Sequence, residues 1–200
     1  LSLFSGDTNA FYSEDDPNNL SPVAKSFMAG LLRHAAEITA VTNQTVNSYK
    51  RLVPGFEAPV HISWARNNRS GLIRVPIPKR GSVSATRIEY RSPDPACNPY
   101  LAFSVILAAG MKGIREGYEL EPEADANLFE MNDAALDKLG IRQLPQSLND
   151  ALKVMETSEL VQEALGEHIF EWFLRNKRHE WREYKTQVTP FELNRYLKSL

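Results

Sequence analysis

Between Lys50 and Arg91 the chain carries nine basic residues, Lys50, Arg51, Arg66, Arg69, Arg74, Lys79, Arg80, Arg87 and Arg91, against two acids, Glu57 and Glu89. That is a surplus of seven positive charges inside a chain whose formal net charge is −2. Guanidinium groups are planar forks that keep their charge at any working pH and donate paired hydrogen bonds to phosphates and carboxylates. A cationic stretch interrupted by two lone carboxylates suits a site that gathers phosphates and a carboxylate, with one acid for a metal and one for a proton. Each arginine taken singly fits a solvated loop equally well; their density favours a site.

In Arg87-Ile88-Glu89-Tyr90-Arg91, strand alternation puts Arg87, Glu89 and Arg91 on one face and Ile88 and Tyr90 on the other. Two readings follow: an exposed sheet edge, or a metal-binding carboxylate between two arginines that reach bound anions. Arg66, Arg69 and Arg74 occupy the preceding turn and strand, and Arg69 and Arg74 can point at one phosphate chain across a bend. Glu57, between Pro54-Gly55 and Pro59, sits on a stiff loop that either closes over a reacting centre or is an ordinary surface turn. No glycine-rich phosphate loop is present, so a nucleotide must be held by side chains. His34, His168 and His179 read as structural or solvated, and His61 is undecided. Trp172, Phe173 and Trp181, interleaved with Arg175, Lys177, Arg178 and Arg182, read as a packed helical stripe with a salt-bridged outer face rather than a nucleic-acid surface.

The elements that position these residues are legible as turns, caps and periodicities. Ser21-Pro22 opens a helix to about Val41, and a short helix is expected around Val46 to Leu52. Val60–Trp64, Leu72–Ile77 and Ala85–Tyr90 read as three strands forming the floor of the site. Asn98-Pro99 starts a central helix, apolar almost all round through Met111, which predicts burial on several faces. Gly6–Asn19 and the acidic Glu119–Asp137 read as exposed loops. Ser147 and Asp150 cap a helix to about Glu156, a longer helix from Leu160 to Lys185 is expected to bend at Gly166, and Thr189, Pro190 and Glu192 open a last helix, Phe191 to Leu200.

Two hundred residues suit one ordinary domain or a large piece of a bigger one. The net positive charge sits in one region of a slightly acidic chain, which argues against a nucleic-acid module. The single cysteine, Cys97, forms no internal disulfide, and the longest apolar run, Pro99 to Met111, is too short to span a membrane, so a cytoplasmic home is the simplest. The opening Leu1-Ser2-Leu3-Phe4-Ser5, without an initiating Met or basic leader, reads as a start inside a longer protein.

Three ordered runs carry a resemblance: Asn47-Ser48-Tyr49-Lys50-Arg51-Leu52-Val53-Pro54-Gly55-Phe56-Glu57-Ala58-Pro59; Arg66-Asn67-Asn68-Arg69-Ser70; and Arg87-Ile88-Glu89-Tyr90-Arg91-Ser92-Pro93-Asp94-Pro95 with Asn98-Pro99-Tyr100-Leu101-Ala102. Together they closely resemble the C-terminal half of the catalytic domain of type I glutamine synthetases. The match runs essentially from residue 1 to 200 and implies an α+β fold of antiparallel strands packed with helices. It also implies ATP-dependent phosphorylation of the glutamate side chain, then displacement of phosphate by ammonia. By the resemblance, Arg51 and Arg91 hold glutamate, Glu57 is the flap acid that shields the intermediate and helps deprotonate ammonium, and Arg69 meets the transferred phosphoryl group. Arg74 and Ser2 contact ATP, Arg87 is a further candidate, and Glu89 ligates Mg2+ or Mn2+.

The family's other metal ligands and its small N-terminal domain precede residue 1, so the 200 residues alone are expected to be inactive. Residues 186–200 resemble the segment that inserts into the opposite ring of a dodecamer of two stacked hexamers, and Phe191, Leu193, Tyr196, Leu197 and Leu200 suit a partner surface; a helix folded onto its own domain is the alternative. The chain departs from the family twice. Phe129 follows Asn127-Leu128 where the adenylylated branch has tyrosine, so that modification is excluded there, and the ATP-contacting lysine expected shortly before Arg87 is not obvious, with Ser84 three residues earlier and Lys79 further upstream. The competing functions are a relative that joins glutamate to another amine, such as a polyamine, and a non-catalytic subunit. The retained Arg51, Glu57, Arg69, Arg74, Glu89 and Arg91 speak against the latter.

Overall fold

Two capped helices lie at the centre of the molecule. In α1 (Pro22–Thr42), Ser21 accepts a hydrogen bond from the Ala24 N–H, and in α3 (Pro99–Glu116) the Asn98 side chain accepts from Tyr100 and Leu101, with Gly117 closing the helix at φ 63°. The two cross in close contact because glycines remove the side chains between them. A Cβ on Gly30 would sit 2.3 Å from the Ala109 carbonyl oxygen, and one on Gly113 would sit 2.1 Å from that of Ser26. The computed structural model describes residues 1–56, 58–68, 70–77, 83–124 and 128–197, apart from the side chains of Phe129 and Asp133.

The α+β class is as expected, but the sheets are small. A hairpin, β1 (Phe4–Ser5) with β2 (Thr8–Asn9), stands beside a three-stranded sheet in the order β3 (His61–Ala65), β4 (Gly71–Arg74), β5 (Glu89–Tyr90). β4 and β5 are antiparallel. β3 and β4 are parallel, because the chain returns to the level of His61 before Gly71. The second strand is shorter than predicted: Pro76 has no N–H for the ladder, and pairing stops after Arg74. The third is shorter too, since Val83–Ala85 form a 3-10 turn.

Three sequence expectations change. The acidic stretch is not an open loop. The buried Trp64 needs an acceptor for its indole N–H and takes the Glu121 carbonyl at 2.7 Å, while Ala124 N–H returns to Trp64 O at 3.0 Å. Leu128 and Leu136 are buried behind it, and α4 (Asp133–Lys138) forms within the stretch. Secondly, α3 is buried along one side only, through Ala102, Val105, Ile106, Ala109, Gly110 and Gly113, whereas Tyr100, Phe103 and Leu107 are exposed. Thirdly, the long helix is cut rather than bent: Gly166 at φ 74°, ψ 153° separates α6 (Glu159–Leu165) from α7 (Glu167–Tyr184). The short α2 (Ser48–Arg51), the Ser147-capped α5 (Leu148–Glu156) and α8 (Pro190–Tyr196), with its Thr189/Glu192 capping box, fall where the sequence puts them. Among the described residues no helix is long and apolar enough to cross a membrane.

Candidate active site

The β4–β5 register sets Arg74 opposite Glu89, and the side chains meet. Arg74 Nη2 donates to Glu89 Oε1 at 3.1 Å, and Nε lies 2.9 Å from Oε2 without an N–H aimed at it. The alternation expected across Arg87–Arg91 holds on the core side, where Ile88 is fully buried. Burial pushes the Tyr90 phenol up to about 12, opposed by the Ser92 hydroxyl. Arg87 precedes the paired strand, and its Nη1 donates to the Ala85 carbonyl at 3.3 Å.

Arg51 closes α2, and its fork reaches the far side of the same strand end. Its Nη1 donates to the Ser92 carbonyl at 2.8 Å and its Nη2 to the Arg91 carbonyl at 3.3 Å, using two of the five N–H donors of a guanidinium. Arg91 is fixed in turn by its backbone N–H to Leu72 O at 3.0 Å and by Nη1 to Gly71 O at 3.3 Å. The loop after it is tied to α1 through Asp94 N–H to Thr42 O at 2.9 Å. Arg51 thus meets Arg91 at the end of β5, while Arg74 on the central strand faces Glu89 on the edge strand, two residues before Arg91. The N-terminal residues join that edge: the Leu1 amino group donates to Ile88 O at 2.7 Å and Ile88 N–H returns to Leu1 O at 2.9 Å, which places Ser2 next to the strand.

Glu57 and Arg69 lie outside the described residues, as do Lys79 and Arg80. The turn around Arg69 is described at Arg66, Asn67, Asn68 and Ser70, and there Arg66 leaves the expected anion-binding group. Glu123 accepts from its backbone N–H at 2.7 Å and from its Nε at 2.8 Å. Asn68 and Ser70 are bonded to each other, to Ala124 and to Leu128. Neither Glu123 nor Asn9 is visible from the sequence as a site-building residue. Asn9, in a stretch predicted to be a surface loop, is buried, and its Nδ2 donates to the Thr86 carbonyl at 2.8 Å with longer contacts to Val83 and Ser84, holding the approach to β5. A lone Asn among many polar neighbours carries no signal of this role.

Burial raises the Cys97 thiol pKa, with the Asp94 charge adding and a backbone hydrogen bond opposing. His34 is buried against Glu37, at 2.8 Å, in keeping with a structural role. A cavity of about 430 Å³ opens between Leu1, Arg87, Glu89, Cys97 and Phe103, beside the arginine edge. Two others, of about 370 and 300 Å³, flank the acidic segment and contain none of the expected site residues.

The described residues contain no group of three or more His, Cys, Asp or Glu side chains able to hold a metal ion. Among them the Glu89 carboxylate is one hard oxygen donor, of the kind that suits Mg2+ or Mn2+.

Comparison with known proteins shows the family. Residues 1–196 match the family described as glutamine synthetase, catalytic domain. The chain is 59% identical over 197 residues to a glutamine synthetase of Mycolicibacterium smegmatis (strain ATCC 700084 / mc(2)155), covering 98% of this chain and 44% of that protein. It is 51% identical to that of Thermotoga maritima over 98% of this chain and 44% of the relative. It thus spans less than half the length of the curated relatives it matches. Among solved structures, "Apo GmaS without ligand" superposes with a TM-score of 0.79 at 38% identity, covering 94% of this chain and 41% of that one. A "GmaS/ADP complex" gives 0.81 at 38% identity, over 95% and 43%.

Proposed function

This chain belongs to the glutamine synthetase catalytic-domain family, and from that membership we propose that the full-length protein joins ammonia to the side chain of L-glutamate at the expense of ATP. A glutamate carboxylate oxygen attacks the γ-phosphorus, ADP leaves, and ammonia then displaces phosphate from the resulting γ-glutamyl phosphate. Both steps develop negative charge that fixed cationic groups stabilise. Arg51, held by the carbonyls of Arg91 and Ser92, keeps up to three N–H donors for the amino-acid substrate, and Arg91 beside it completes that contact. Arg69 meets the transferred phosphoryl group, and Glu57 closes over the intermediate and takes a proton from ammonium. Arg74, Ser2 and Arg87 serve ATP; that the fold takes a nucleotide is supported by the ADP complex of a protein of similar fold. A divalent metal bound at Glu89 would neutralise phosphate oxygens.

The observation that carries the proposal is the gathering of four charged residues along β5 and its neighbours: Arg51 seated on the Arg91 and Ser92 carbonyls, and Arg74 facing Glu89 two residues before Arg91. The test is phosphate release by the full-length protein with glutamate and ATP, with ammonium, methylamine, putrescine or spermine as the amine. Preference for ammonium supports the proposal; turnover with a larger amine alone transfers it to a glutamate–amine ligase of the same family. The absence of turnover with every amine assigns a non-catalytic role. We further propose that the helix in residues 186–200 packs on another subunit of a dodecamer built from two hexameric rings, which the exposure of Phe191, Leu193, Tyr196 and Leu197 supports.

A further inference from the structure

Arg74 and Glu89 are assigned above to opposite partners, an anion and a cation, yet here each faces the other. The contact uses the Nε/Nη2 edge of the guanidinium, the edge that forms a two-point bond with a phosphate, and it occupies both carboxylate oxygens. It is also imperfectly made, since the buried Nε–H is not aimed at its oxygen, and both side chains are about one third exposed, at 37% and 35%. Such a pair forms readily and opens readily: half-exposed pairs shift equilibria by roughly 1.4- to 5-fold.

We propose that this pair is the closed state of a composite cation–anion site: a divalent cation at Glu89 and a nucleotide phosphate at Arg74 must open the same contact, so each ligand releases the group that binds the other. The inference rests on the reading of Arg74 as a nucleotide contact and of Glu89 as a metal ligand. With the closed state favoured 1.4- to 5-fold, only about 17–42% of molecules present a free Arg74 fork. The apparent affinity for metal-free nucleotide is then depressed roughly two- to sixfold relative to an open site. The two ligands bind with positive coupling of the same size, in addition to any contact between metal and phosphate.

The test is a double-mutant cycle on the full-length protein, reading ADP affinity by calorimetry in the presence of EDTA, so that neither metal nor turnover enters. Glu89→Gln removes a negative charge and tightens ADP through the general field in any background. The closed-pair state adds a further factor only where Arg74 is present. The expected result is that Glu89→Gln tightens ADP two- to sixfold more in the wild-type background than in the Arg74→Gln background. Equal effects in both backgrounds, with Arg74→Gln itself loosening ADP, overturn the coupling and leave Arg74 as a nucleotide contact. If Arg74→Gln leaves ADP affinity unchanged, the nucleotide role of Arg74 falls and the coupling falls with it. Circular dichroism and thermal unfolding of each variant identify a misfolded protein, in which case Arg74→Lys with Glu89→Asp replaces the cycle.

Discussion

Replacing Gly113 by alanine tests whether the α1–α3 contact holds the site together. A Cβ at this position would lie 2.1 Å from the Ser26 carbonyl oxygen and 2.7 Å from the Gly30 Cα and N, all backbone atoms that cannot rotate away. Carbon contacts settle at about 3.5–4.0 Å, so the helices must part by roughly an ångström. Overpacking of this kind costs about 1–3 kcal/mol, and the rigid neighbours put Gly113 at the upper end. The intrinsic helix preference of alanine over glycine returns about 0.8–1 kcal/mol, leaving a net loss of about 2 kcal/mol, near thirtyfold in the local equilibrium. The displacement should also reach the chemistry, because α1 ends at Thr42, whose carbonyl anchors the loop behind Arg91 and Ser92, the seat of Arg51. Urea unfolding and amide exchange along 22–42 and 99–116 would show the loss, and a glutamate titration would show weaker binding. Gly110→Ala is the control, since its Cβ meets the Phe27 ring at 2.1 Å and a side chain can move, so a smaller loss is expected. If Gly113→Ala is as stable as the parent or more so, helix preference has won and the close approach is not real.

Glu123→Ala removes both acceptors of Arg66, bonds of the charged class worth about 1.5–3 kcal/mol, and should speed amide exchange across 66–70 while lowering kcat more than it raises the glutamate KM; unchanged exchange would refute this clamp. Arg69→Ala should depress kcat strongly with little change in glutamate affinity, and an effect confined to KM would contradict a contact that strengthens as phosphate transfers. Burial raises the Glu37 carboxyl pKa, but the hydrogen bonds from His34 and Ser158, with the charges of His34 and Lys112, outweigh burial and leave it below the ordinary value. A depressed folded pKa stabilises above the unfolded value, about 4.3, and that stability is lost as the pH falls through the folded pKa; Glu37→Gln should therefore flatten the acid limb of unfolding below about pH 4.3 and lower the neutral plateau by about the stability that limb no longer loses, and an unchanged plateau would refute the assignment.

Local chemistry made the helices readable. Ser21 before Pro22, Asn98 before Pro99, and Ser147 or Thr189 three residues before an acid each satisfy orphan N–H groups whatever the rest of the chain does, and each cap forms. The pair Arg74 and Glu89 was half legible. Alternation placed Glu89 on the outward face, but the partner depends on a register that no local pattern encodes. The acidic segment was misread for the same reason. Its charges describe a solvated loop until Trp64, more than fifty residues earlier, presents a buried N–H in need of an acceptor and Arg66 presents a cation in need of a carboxylate. Long-range polar satisfaction, unlike capping, has no sequence spacing, which is why the residues proposed to bind ligands stand out by type while those bonded to their surroundings, Asn9, Thr42 and Glu123, do not. The consequence for this proposed site is that Arg51 and Arg91 are seated on backbone carbonyls and Arg74 meets Glu89 through strand register, so changes at Asn9 or Glu123, neither of which is proposed to bind a ligand, should alter function through the placement of Glu89 and the turn that bears Arg69.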